Sequence, residues 1–198
     1  MSSRTTVSEQ EFVFTRVYEA PRRLVFQAWT DPKQVAQWWG PHGFTNPVCE
    51  LDMRPGGAIR IDMRGPDGTV YPMTGVYREV VEPERLAFTS AALDGGGRPL
   101  FEVLNTVTFA EHGGRTTQTS TARVVKTSAG AAQYLEGMEA GWTQTLERLE
   151  AHLAKWNGHV VYYDKKIIWL PVKIVKHFLY CPATFIHKSV RKKKFSTY

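Results

Sequence analysis

Cysteine is scarce in this chain of 198 residues. Cys49 and Cys181 are the only two, they lie far apart, and they form no CxxC pair. A disulfide framework or a cysteine-based zinc site needs more cysteines at closer spacing, so we expect neither, and we expect no bound metal. This cysteine usage fits a reducing compartment, and we predict a cytoplasmic protein.

Long apolar runs are also missing. The first ten residues, MSSRTTVSEQ, are polar and lack the apolar core of a secretory signal. No stretch approaches the roughly 20 apolar residues of a membrane-spanning helix. We therefore predict a soluble protein without a transmembrane segment, whose residues 1–9 form a flexible N-terminus.

Lysine and isoleucine are rare before residue 157, with 3 Lys and 2 Ile, whereas residues 157–198 hold 8 Lys and 4 Ile. Charge divides at the same point: residues 1–156 contain 16 Lys+Arg against 18 Asp+Glu, and residues 157–198 contain 9 against 1. The basic excess belongs to the tail, so the preceding domain offers no electrostatic attraction to nucleic acid.

The tail, residues 157–198, admits three interpretations. Its stretch KKIIWLPVKIVKHFLY, followed by RKKK, mixes lysine with apolar residues and is compatible with an anionic membrane surface. It is also compatible with an extra strand or helix that packs on the domain. We favour a foreign segment, produced by a frameshift, read-through or fusion, that is disordered or weakly structured and dispensable.

The domain, residues 10–156, begins with an alternating pattern at 11–19 that predicts a strand. Pro21 then starts a helix in its first turn, and Asp31-Pro32 starts a second short helix that runs to Trp38. Gly40-Pro41 ends that helix.

Between residues 45 and 124, Gly- and Pro-containing turns separate short strand-like segments, which predicts an antiparallel meander. Residues 129–156 carry apolar side chains in steps of three and four, as in one long amphipathic helix. The fold class is therefore α+β: a curved antiparallel sheet of about six or seven strands around a long C-terminal helix. An internal cavity is expected where sheet and helix do not fully meet.

Four segments also resemble a known family: PRRLVFQAWTDPKQVAQWWG at 21–40, PGG at 55–57, GPDGTVYPMTGVYREVVEPERLAFT at 65–89 and EGMEAGW at 136–142. They are similar to the START-like (SRPBCC, helix-grip) superfamily, which shares the fold of the birch pollen allergen. Within it, the chain resembles the bacterial branch related to the C-terminal domain of the heat-shock protein 90 ATPase activator and to the CalC-like proteins. The polyketide cyclases are neighbours of that branch.

The resemblance implies a ligand cavity between the concave face of the sheet and the helix around Met138 and Trp142. Large aromatics and methionines suit a flat or irregular apolar ligand, although the same side chains would also fill an ordinary core. The expected lining residues are Trp38, Trp39, Phe44, Met63, Tyr71, Met73, Tyr77, Phe88, Phe101, Met138 and Trp142.

No nucleophile elbow, P-loop or metal-ligand spacing is present in the sequence. His42 follows the WWGP motif and is either a general base at the cavity rim or a solvated loop residue. His112 and His152 are expected at the surface. Asp52 and Asp62 suggest a carboxylate pair without fixing its distance, while Asp62 also fits a solvent-side row with arginines. We assign no catalytic residue.

Three functions follow as hypotheses. The first is binding of a small hydrophobic or aromatic molecule in the cavity, without a cofactor. The second is a polyketide cyclase- or dehydratase-like enzyme that uses the same cavity, which we favour less because no catalytic constellation is visible. The third is a protein-interaction module that activates a chaperone ATPase. The sequence names no protein partner and leaves open whether the domain forms a homodimer.

Overall fold

The computed structural model describes residues 10–128, 131–155, 160–163 and 166–169. The chain divides into two compact units, Met1–Ala154 and Lys155–Tyr198. The predicted flexible N-terminus, residues 1–9, lies outside the described residues. Within the described part of the chain, none of the helices combines the length and apolar character needed to cross a membrane.

A seven-stranded antiparallel sheet forms the first unit, and its spatial order is β1-β7-β6-β5-β4-β3-β2. The strands are β1 Glu11–Tyr18, β2 Thr45–Leu51, β3 Ala58–Arg64, β4 Val70–Val81, β5 Arg85–Leu93, β6 Pro99–His112 and β7 Arg115–Thr127. Short turns join β2 through β7, so consecutive strands pair as neighbours, as the turn spacing predicts. The fold class inferred from the sequence is thus confirmed.

Two short helices carry the chain from one edge of the sheet to the other. β1 pairs with β7 at one edge, β2 lies at the opposite edge, and α1 Arg22–Thr30 and α2 Pro32–Trp38 connect them. The Asp31 side chain accepts a hydrogen bond from the Lys33 N–H and caps α2, whose first residue is Pro32. Both helices cover the concave face because their apolar stripes must be buried.

The C-terminal helical segment consists of two helices rather than the single predicted one. α3 spans Ala132–Glu136, α4 spans Met138–Ala154, and Gly137 lies between them. Glycine has the highest entropic cost of any non-proline residue in a helix, which explains why the interruption falls there. Leu146, Leu149 and Leu153 of α4 are buried as the helical spacing predicts.

Apart from Lys155, the described residues of the second unit form two strands, β8 Val160–Tyr163 and β9 Lys166–Trp169, which pair antiparallel with Val160 opposite Trp169. The remainder of the tail, including RKKK and Cys181, lies outside the described residues. The foreign origin and dispensability of residues 157–198 therefore stay predictions.

Candidate functional site

A cavity of about 410 Å³ lies between the concave face of the sheet and the start of α4. Its volume falls within the range of roughly 300–1,000 Å³ that is usual for small-molecule sites. Strands β3 to β6, α3, α4 and the loop after α2 all contribute to its wall. The lining residues are Trp39, Gly40, Pro41, Phe44, Met63, Tyr71, Met73, Ser90, Ala92, Phe101, Val103, Tyr134, Met138, Gly141, Trp142 and Thr145.

Sequence reasoning proposed eleven lining residues, and the structure brings eight of them around this one cavity: Trp39, Phe44, Met63, Tyr71, Met73, Phe101, Met138 and Trp142. The alternation of the strands accounts for their convergence. Met63, Tyr71, Met73 and Phe101 point to the same side of the sheet, and α4 faces that side with Met138 and Trp142. That they hold a ligand remains a prediction.

The other three proposed residues lie elsewhere in the interior. Trp38 is fully buried, and its indole N–H donates to the Ala28 carbonyl oxygen at 2.9 Å. Tyr77 and Phe88 contact each other at a ring separation of 5.9 Å and border a void of only about 10 Å³. Burial raises the pKa of the Tyr77 hydroxyl far above its ordinary value, as expected for a closed core.

The loop after α2, residues 39–44, forms one side of the cavity mouth and is held by Arg148 of α4. The Arg148 guanidinium donates to five backbone carbonyl oxygens, those of Gln37, Trp39, Gly40, Pro41 and Phe44, at 2.8–3.1 Å. These include carbonyls at the end of α2 that have no partner within that helix. The guanidinium group of Arg148 therefore fixes both the end of α2 and the loop that follows it.

The cavity wall is uncharged. Within the described residues, the lining contains no Asp, Glu, Lys, Arg or His side chain. The lining side chains that carry a hydroxyl group are Ser90, Thr145 and the two partly exposed tyrosines, Tyr71 and Tyr134. An ionised ligand would find no counter-charge on this wall, so the surface favours a neutral molecule.

A layer of buried polar side chains lies on the sheet beneath the aromatic residues. Asn105 Nδ2 donates to Ser90 Oγ at 2.9 Å, and Gln118 Nε2 donates to Ser120 Oγ at 2.9 Å. Asn105 Oδ1 is buried and has no hydrogen-bond partner. Ser90 belongs to both this layer and the cavity wall, so it links the two.

A family model described as activator of Hsp90 ATPase homolog 1-like protein matches residues 19–154. This match spans strands β2 to β7 and all four helices, and it begins just after β1. The chain belongs to this family. The START-like resemblance inferred from the sequence is thereby confirmed.

Solved structures agree with the family assignment. A Mycobacterium smegmatis protein is 29% identical, with 79% of this chain and 100% of that chain covered and a TM-score of 0.62. A Nitrosomonas europaea protein is 27% identical over 74% of this chain and 96% of that chain, at a TM-score of 0.62. A Rhizobium leguminosarum protein is 26% identical, with 77% of this chain and 99% of that chain covered and a TM-score of 0.66. No curated protein matches the sequence closely enough to count as a relative.

Among the polar candidates in this family member, His42 lies on the loop outside the cavity wall. Its Nε2 is 2.8 Å from Glu147 Oε2, and both side chains are at least half exposed. The His42 N–H also donates to Gln144 Oε1 at 3.1 Å. These contacts tie the loop to α4 beside Arg148, and the exposure of His42 fits the solvated loop residue that was the alternative to a general base.

The remaining polar candidates are dispersed. His112 is exposed, as expected. The same expectation is wrong for His152, which is 8% exposed and whose Nε2 lies 3.3 Å from Gln34 Oε1. Asp52 pairs with Arg54 at 2.9 Å, and Asp62 pairs with Arg60 at 3.2 Å, so each carboxylate has its own arginine. No cluster of three metal-ligating side chains occurs among the described residues.

A larger groove of about 880 Å³ runs past the cavity mouth, with Arg60, Asp62 and Asp94 along its wall. Its charges are already paired, since Arg60 contacts Asp62 and Arg98 contacts Asp94 at 3.0 Å, and the arginines are exposed to solvent. Exposed pairs of this kind contribute little binding energy. The smaller, apolar cavity is therefore the better candidate site despite its size.

Sequence reasoning missed Arg148, Ser90, Tyr134 and Gly141. Arg148 binds backbone carbonyls, which leave no side-chain pattern in the sequence, so no signal could have identified its role. Gly141 was visible as a small residue within a helical pattern. Its position opposite Pro41, where an added Cβ would lie 3.9 Å from Pro41 Cγ, follows only from the helix packing.

Proposed function

We propose that this protein binds a small, neutral, hydrophobic or aromatic molecule in the 410 Å³ cavity. The observation that carries the proposal is the combination of this volume with a wall of aromatic and methionine side chains that has no charged member among the described residues. Such walls suit flat apolar ligands because dispersion contacts and burial of apolar area supply the binding energy.

An acid–base enzyme of the cyclase type receives less support from the same wall. General acid–base catalysis needs a titratable group within hydrogen-bond reach of the substrate. The described lining offers only Tyr71 and Tyr134 in that role, both at the rim. Binding without turnover is therefore the function that the geometry favours.

Action on a chaperone ATPase is the second candidate, because the matching family is described as an Hsp90 ATPase activator homologue. A partner of this kind would bind an outer surface and not the cavity. The test is the ATP hydrolysis rate of purified Hsp90 with and without the full chain. A stimulation that persists in Ala92→Phe, a variant designed to fill the cavity, would favour this candidate over small-molecule binding.

The binding function is tested with 6-propionyl-2-dimethylaminonaphthalene, a neutral naphthalene dye whose emission shifts in apolar surroundings. The full chain should bind it saturably with one site. Ala92→Phe should weaken binding at least tenfold, because Ala92 lines the cavity and faces the same side of the sheet as Met73, its cross-strand partner. A tenfold change corresponds to about 1.4 kcal/mol.

Ala110→Phe is the matched control. It introduces the same side chain at an exposed alanine of β6 that lies outside the cavity lining. It should leave dye affinity unchanged. Absence of dye binding, or equal binding by Ala92→Phe and the parent chain, would contradict the proposed function.

A further inference from the structure

The tryptophans of the first unit differ in whether the indole N–H has a hydrogen-bond partner. Trp29 donates to Gln118 Oε1 at 2.8 Å, and Trp38 donates to the Ala28 carbonyl oxygen at 2.9 Å. Trp39 and Trp142 make no indole hydrogen bond to any described residue. The two satisfied indoles are core residues, and the two open ones line the cavity.

The open N–H groups are not sealed inside protein. The described side-chain atoms that are fully buried and unpartnered are Tyr18 Oη, Asn46 Oδ1 and Asn105 Oδ1, and neither indole nitrogen is among them. Both nitrogens therefore retain contact with accessible space. Trp39 is only 8% exposed and borders both the cavity and the void of about 10 Å³, and of these two spaces only the cavity has room for a ligand.

Trp39 and Trp142 also lie against each other, with ring centroids 5.7 Å apart and planes at 77°. An indole N–H can only donate a hydrogen bond. Displacing water from it without supplying another acceptor costs free energy. A ligand that brings an oxygen acceptor into the cavity removes that cost. A hydrocarbon of the same shape does not.

The charge of the ligand is limited by the surroundings of these two rings. The guanidinium of Arg148, which holds the loop that carries Trp39, already donates to the backbone carbonyls of Trp39, Gly40 and Pro41. Its donors are committed to the loop, so a ligand carboxylate gains no ion pair in the cavity. Burial of an unpaired carboxylate is costly.

We infer that the cavity selects neutral aromatic carbonyl compounds, with the carbonyl oxygen accepting a hydrogen bond from the indole N–H of Trp39 or Trp142. The inference rests on the proposed binding function and specifies its ligand class. It adds a polar criterion to a site that would otherwise select by shape and apolarity alone.

Three matched probes separate the polar criterion from general apolar binding: 2-acetylnaphthalene, 2-ethylnaphthalene and 2-naphthoic acid, the last ionised at pH 7.5. Calorimetric titration of the full chain should give an affinity for the ketone about fivefold above that for the hydrocarbon, the change expected for one neutral hydrogen bond. The acid should bind at least tenfold more weakly than the ketone.

Trp142→Phe and Trp39→Phe each keep an aromatic ring and remove the N–H. One of them should abolish the preference for ketone over hydrocarbon, while Trp38→Phe, which removes an N–H already bonded to Ala28, should retain it. In the unsubstituted chain, the indole N–H proton resonance of Trp39 or Trp142 should move downfield with the ketone, as hydrogen bonding requires, and should not move downfield with the hydrocarbon, while that of Trp29 should stay in place. This readout does not depend on the folding of any variant.

Equal affinities for ketone and hydrocarbon, tightest binding of the acid, or a ketone preference retained in both Trp39→Phe and Trp142→Phe would overturn the inference while leaving apolar binding intact. Failure of all three compounds to bind would instead contradict the proposed function, and the inference with it.

Discussion

Under α1 and α2, the interior of the sheet leaves a void of about 10 Å³, whereas next to the first turns of α4 it leaves a cavity of about 410 Å³. Aromatic side chains line both regions, and Trp39 and Met73 border both. The closed region is filled by interlocking rings, such as Trp29 against Trp38 at 4.8 Å. The open region has rings on its walls and none across its centre.

The polar groups of the two regions differ in the same way. In the closed region the indole N–H groups of Trp29 and Trp38 have partners within the protein. In the open region the N–H groups of Trp39 and Trp142 have none among the described residues. Within the described part of the chain, packing and hydrogen bonding therefore differ together between the two regions: the closed region is filled and its indoles are hydrogen-bonded, and the open region is unfilled and its indoles are not.

The largest contrast is expected between two phenylalanines. Phe88→Ala in the closed region should lower the free energy of unfolding by about 4 kcal/mol, because the side chain is 3% exposed and leaves a new void. Phe101→Ala should cost about 1 kcal/mol, because this half-buried ring already borders empty space. Urea denaturation of both variants measures the difference. Equal losses would contradict the distinction between the two regions.

Arg148→Ala should have the next largest effect, a loss of about 3 kcal/mol in the free energy of unfolding, because five carbonyl oxygens lose a charged donor. Arg148→Lys should recover only part of it, since an ammonium cannot reproduce the planar fork. Dye affinity should fall in Arg148→Ala because the loop forms the cavity mouth.

Arg23 of α1 is exposed and serves as the control for the arginine substitution. Arg23→Ala should change the free energy of unfolding by no more than about 0.5 kcal/mol. If Arg148→Ala behaves like Arg23→Ala, the guanidinium does not hold the loop.

The smallest effect is expected at the cavity-facing glycine of α4. Gly141→Ala should raise the free energy of unfolding by about 0.5 kcal/mol, because alanine favours the helix and its Cβ would meet only Pro41 Cγ at 3.9 Å. Gly75→Ala should destabilise the protein, because a Cβ on this strand would collide with the Thr89 carbonyl oxygen. Thermal denaturation compares the two. A loss of stability in Gly141→Ala would show that the open region is packed more tightly than the structure indicates.

The sheet and the short helices could be predicted because alternation, turn residues and capping are local signals. The break at Gly137 was missed because a single glycine competes with a strong helical pattern over the surrounding residues. His152 falls three residues after buried Leu149, and this spacing could have indicated its burial. Its polar side chain argued for the surface instead.

The sequence could predict which residues face the interior, but not which of them line the cavity and which fill the closed core. Trp38 and Trp39 are adjacent in sequence, yet Trp38 ends α2 in the core and Trp39 follows the helix and lines the cavity. That division depends on where α2 stops, and the stop depends partly on Arg148, which is 109 residues away in sequence. Long-range contacts with backbone carbonyls have no counterpart in sequence periodicity.

The most direct test of the binding function is an NMR titration of the full chain with ¹³C-methyl-labelled methionine and 2-acetylnaphthalene. Met63, Met73 and Met138 line the cavity, whereas Met53 does not. We expect the first three methyl resonances to shift and to show intermolecular NOEs to the naphthalene ring, while that of Met53 stays in place. Unchanged cavity methyls, or NOEs to Met53 alone, would contradict the account.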